Sequence, residues 1–146
     1  DHASRETCVN FYVSQVDAIN NWDLVDLSCY KILGHWLFDK DKQLLYDWAK
    51  EDHLWKQRIA MITCMHFVKQ GEFKDALAIA DLLQHHPHDL IHKAVGWILR
   101  EIGKENEQLL VDYLTPRYKE MPRTMLRYAI ERFEEGKRKA FLHSKV

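Results

Sequence analysis

The sequence predicts an all-α protein, with antiparallel helix pairs stacked as an α-α superhelix (solenoid) or closed into a compact bundle. Three observations carry this. Apolar residues recur at helical spacing along nearly the whole chain, strand-like alternation is absent, and Pro87, Pro116 and Pro122 all fall between the helical patterns. The connectors Gln70-Gly71-Glu72, His85 to Asp89 and Gly103-Lys104 are short, which favours antiparallel neighbours. No repeat is regular enough to prove a solenoid by spacing. The 146 residues suffice for one domain with a real core, and a single domain over 1–146 is expected.

Taken in order, the first pattern runs from Val9 to Ile19, with Tyr12, Val13 and Val16 between them. The second, Leu24–Phe38, is preceded by Asn20, Asn21 and Asp23, which suit a helix N-terminus by capping and by charge. Helices are then expected over Leu44–Ala49, Leu54–Val68, Phe73–Leu83, Leu90–Ile102, Gln108–Leu114 and Thr124–Phe133, with a short end at Lys137–Leu142.

Composition excludes more than it selects. No apolar run reaches spanning length and no signal peptide is visible, so a cytoplasmic location is expected. The chain begins at Asp1 rather than Met, and missing N-terminal material is expected. Cys8, Cys29 and Cys64 lie on predicted helices without close pairing or ligand spacing, which reads as reduced, packed thiols. His85, His86, His88 and His92 straddle Pro87 and read as turn and helix-start residues rather than metal ligands. Gly-rich phosphate loops, GxSxG and HExxH are absent, so no metal or cofactor is expected. A net charge of −1 gives no global nucleic-acid signal. The distribution is less even: residues 1–90 hold 9 Lys and Arg against 14 Asp and Glu, residues 91–146 hold 12 against 8.

Several residues break their own patterns. Trp22 and Asp26 are four apart and share a helix side that borders an apolar stripe, where a carboxylate either finds a partner or does chemistry. Arg58 projects into the apolar face formed by Leu54, Met61, Ile62 and Met65. A buried guanidinium is costly unless paired, so it calls for an internal carboxylate, for Asp26 across a groove, or for a ligand phosphate. On Leu90–Ile102 and just beyond it, Lys93, Trp97, Arg100 and Lys104 fall on one flank. Cations around an indole suit a nucleic-acid backbone, although a solvated face with Trp97 packed on the next helix would look the same. Arg123, with Arg127 one turn on, stands at a helix start, the wrong sign for the dipole, and so hints at an external anion.

Four segments then carry a resemblance. Asn21 to Asp26, Leu54 to Met61, His88 to Glu101 and Met121 to Ile130 closely resemble the DNA alkylation repair family, the AlkD-like DNA glycosylases built of HEAT-like helical repeats. The likeness covers nearly the whole chain, in order and at similar separations. It implies a superhelical solenoid with a concave basic groove for duplex DNA. It also implies an enzyme that excises cationic alkylated bases such as 3-methyladenine and 7-methylguanine, and a monomer is expected. Carried over residue by residue, the family's catalytic aspartate falls on Asp26, its lesion-cleft tryptophans on Trp22 and Trp97, and its groove arginine on Arg58. Lys93, Arg100, Arg123 and Arg127 are expected to contact DNA beside them. One departure stands out: Gln57-Arg58 replaces two adjacent arginines common in the family. Two rival readings are a non-catalytic DNA-binding module of the same repeats and a protein-interaction scaffold.

Overall fold

The computed structural model describes residues 33–38 and 40–144. Among them are eight helices and no strand, as the periodicity predicts. They are α1 (Gly34–Leu37), α2 (Gln43–Lys50), α3 (Leu54–Lys69), α4 (Lys74–Leu83), α5 (Asp89–Glu105), α6 (Glu107–Leu114), α7 (Arg123–Ala129) and α8 (Glu135–Leu142). The expected helix Val9–Ile19 and most of Leu24–Phe38 lie outside the described residues; α1 is the end of the latter.

Contacts sort these helices into two tiers. In one, α1 packs on α3, α3 on α5 and α5 on α7; in the other, α2 packs on α4. Consecutive helices α2 and α3, α3 and α4, α4 and α5, and α5 and α6 join the tiers. One core cluster runs from Leu33 to Phe141.

The central helix α3 is enclosed more completely than its sequence wheel suggests. Every residue from Gln57 to Met65 is buried, because α1, α2, α4 and α5 all pack against it. Arg58 therefore sits in a helix covered on all sides, not on the edge of one apolar face. Cys64 is a buried thiol whose Sγ lies 3.4 Å from the Ala60 carbonyl, in keeping with the packed-thiol reading; Cys8 and Cys29 lie outside the described residues.

Local chemistry explains the boundaries. His53 caps α3 by accepting the Lys56 N–H at its Nδ1, 3.3 Å away. Gly71 takes φ +84°, the left-handed conformation that lets the chain reverse after α3. Gly103-Lys104 is not a connector: α5 continues through it to Glu105. A Cβ at Gly103 would lie 2.6 Å from Leu110 Cδ2, so this glycine admits α6 against α5 rather than ending the helix. The break falls at Asn106, whose N–H bonds the Ile102 carbonyl and whose side chain accepts the Leu109 N–H at 3.1 Å. At the other end, α7 stops at Ala129 instead of Phe133. Phe133 is buried and packs on Phe141, 5.7 Å between ring centroids, which turns the chain into α8.

Candidate functional site

Every candidate residue within the described part of the chain lies on α3, α5 or α7, three successive helices of one tier. Asp26 and Trp22 lie outside the described residues.

Arg58 is buried, and its Nη1 donates to the Leu90 carbonyl at 2.7 Å. It therefore links the first full turn of α3 to the first turn of α5. The neighbouring Gln57 reinforces the same junction. His86 Nδ1 accepts the His88 N–H at 3.0 Å, so its Nε2 carries the hydrogen and donates to Gln57 Oε1 at 2.9 Å. Burial lowers the His86 pKa, and the nearby His88 and His92 push it the same way, against an opposing pull from Asp52. His92 Nε2 donates to the His86 carbonyl, and His88 Nδ1 accepts the Leu90 N–H at 3.1 Å, capping α5. Three of the four histidines thus work as turn and cap residues. Gln57, the departure from paired arginines, is part of this clasp.

On α5, Trp97 is half-buried and packs against the core while keeping an exposed edge. The cations around it are paired. Lys93 Nζ lies 3.2 Å from Asp89 Oδ2, and Lys104 Nζ lies 3.1 Å from Glu101 Oε2. Arg100 Nη1 donates to Glu131 Oε2, and its Nη2 lies 3.9 Å from Glu101 Oε1. The flank read as basic is locally close to neutral. Exposed ion pairs such as Lys93–Asp89 are worth about 0–1 kcal/mol. Asp89–Lys93 was legible as an i,i+4 pair; Glu131 was not, because it comes from another element.

On α7 the two arginines part company. Arg123 Nη1 donates to the Leu142 carbonyl at 2.7 Å, at the C-terminal end of α8. Its misfit with its own helix dipole is answered by the negative end of another helix. Arg127 is exposed and makes no ion pair among the described residues. The helix carrying them is pressed close to α5 at Gly96, where a Cβ would lie 2.5 Å from Tyr128 Cβ and 2.7 Å from the Met125 carbonyl oxygen.

Among the described residues no group of three or more His, Cys, Asp and Glu could hold a metal ion, and no helix is long and apolar enough to cross a membrane. The structure thus carries Arg58 on α3, Lys93, Trp97 and Arg100 on α5 and Arg127 on α7, three helices packed in succession, and bonds Arg123 to the end of α8. No curated protein matches the chain significantly. A family model does: residues 1–133 match that of the DNA alkylation repair enzymes, and the chain belongs to this family.

Proposed function

We propose that this protein is a DNA glycosylase that hydrolyses the N-glycosidic bond of cationic alkylated bases, 3-methyladenine and 7-methylguanine among them, in duplex DNA. The observation that carries the reading is the family match over residues 1–133, which spans every candidate site residue. The common tier of α3, α5 and α7 supports it, since it sets the candidate cations and Trp97 on neighbouring helices.

The chemistry follows from the lesion. An N3- or N7-alkylated purine already carries positive charge, so it departs as a neutral base without a general acid. The C1′–N bond breaks with its electron pair going to the base, and the barrier lies in the oxocarbenium-like sugar left behind. Asp26 stabilises that cation and orients the water that adds to C1′, whose proton passes to the carboxylate or solvent. Trp22 and Trp97 line the deoxyribose, their π faces attracting its cationic character. Arg58, Lys93, Arg100, Arg123 and Arg127 contact backbone phosphates. The enzyme works at the sugar from the backbone side, without the extrahelical base pocket most duplex glycosylases use. Its helices form a HEAT-like superhelix over a single domain, and it acts as a cytoplasmic monomer without cofactor.

The test is incubation with a duplex carrying one 7-methylguanine, with released base quantified. Release above the spontaneous rate supports the reading. Binding with steep salt dependence but no release selects the non-catalytic DNA-binding module instead. No affinity for DNA leaves the interaction scaffold.

A further inference from the structure

Arg100 is held by two carboxylates on the candidate face. Its Nη1 donates to Glu131, its Nη2 lies within 3.9 Å of Glu101, and its Nε is buried without a hydrogen-bond partner. The two carboxylates are not equivalent. Glu101 is mostly covered and already shared with Lys104 at 3.1 Å. Glu131 is more than half exposed, stands just beyond α7, and pairs with Arg100 alone among the described residues. The close approach of α5 and α7 at Gly96 fixes the two elements that carry this pair. A solvent-facing ion pair of this kind is weak and screened by salt, so an incoming phosphate can replace the carboxylate at Arg100.

We infer that Glu131 is a specificity-determining residue of the DNA-binding face, an internal competitor that holds Arg100 until a backbone phosphate displaces it. This rests on the DNA reading above. Glu131 weakens the grip on undamaged duplex, where backbone contact is all that binding offers. A repair enzyme gains from that: it leaves intact DNA faster and samples more of it.

The test measures affinity of the full chain for a short undamaged duplex as a function of salt, for wild type, Glu131→Gln, Arg100→Gln and the double variant. Glu131→Ala serves as a second variant, and thermal melts confirm folding. Glu131→Gln is expected to bind about three- to tenfold tighter at low salt, with a salt slope steeper by up to about one. In the Arg100→Gln background the same substitution is expected to have little effect. An equal gain in that background reduces Glu131 to general surface charge and overturns the inference. Unchanged or weaker binding by Glu131→Gln overturns it too. If no variant, wild type included, binds duplex, the DNA reading falls and this inference with it; if wild type binds and Glu131→Gln gains nothing, this inference falls alone.

Discussion

Asn106 serves two helices with one residue: its backbone N–H closes α5 on Ile102, and its side chain opens α6 on Leu109. Replacing it by alanine removes the side-chain cap, which costs about 1 kcal/mol, so the melting temperature of Asn106→Ala is expected to fall by a few degrees. An unchanged melting curve would show that water caps α6 equally well. Arg123 and Arg127 make the complementary case. Their place at a helix start predicts DNA contacts for both; Arg123 is engaged with the Leu142 carbonyl, and Arg127 is not engaged among the described residues. Arg127→Gln should therefore leave thermal stability within about 0.5 kcal/mol of wild type. It should also weaken duplex binding and lower the salt slope by about 0.9, the value for one lost phosphate contact. A stability loss without a binding change would place Arg127 in the fold rather than on DNA. Periodicity could not separate the two, because what distinguishes them is a carbonyl 19 residues away in sequence.

At the scale of elements, helix identity was legible and helix ends less so. Apolar spacing located α2 to α8 to within a few residues because most of these helices bury one side against their neighbours, and that requirement is periodic; α3, covered on all sides, is the exception. The misses have physical causes. Gly103 reads as a breaker, but it lies inside α5 because Leu110 needs the space a side chain would fill. Thr124–Phe133 keeps an apolar rhythm past Ala129, where the chain leaves the helix so that Phe133 can pack on Phe141. Gly96 gave no sequence signal of its importance, since a glycine inside a helix is usually only a weak point. Here it allows the α5–α7 contact beside which Arg100 meets Glu131. Gly96→Ala forces a Cβ against both Tyr128 and the α7 backbone, and overpacking of this kind costs about 1–3 kcal/mol. A denaturation midpoint equal to wild type would mean that α7 can shift outward freely.

For the molecule as a whole, acid should loosen the fold before carboxylates titrate. Burial lowers the pKa of both His66 and His86 from the ordinary 6.5, so the folded state prefers both rings neutral. The unfolded chain then binds more protons just below pH 6.5, and stability rises with pH through that window. Full stability is expected above about pH 6.5, with progressive loss as pH falls toward the lowered folded values. Denaturation midpoints taken from pH 7.5 to 5.5 check this, and a flat profile would contradict it. Protonating His86 also removes the Nδ1 acceptor of the His88 N–H, at the junction that Gln57 and Arg58 hold together. Arg58, Trp97 and the flank cations could be picked out of the sequence because each breaks a helical pattern. Of their carboxylate partners, Asp89 and Glu101 stand at local helical spacing, whereas Glu131 meets Arg100 only once α5 and α7 are packed.

We propose that Asp26 stabilises the sugar cation while the basic residues merely hold the duplex. Single-turnover release of 7-methylguanine from a duplex, compared between wild type and Asp26→Asn at matched DNA occupancy, tests it most directly. Loss of a preorganised charge in the transition state predicts a fall of about 100-fold or more with affinity nearly unchanged. Release by Asp26→Asn at the wild-type rate would contradict it.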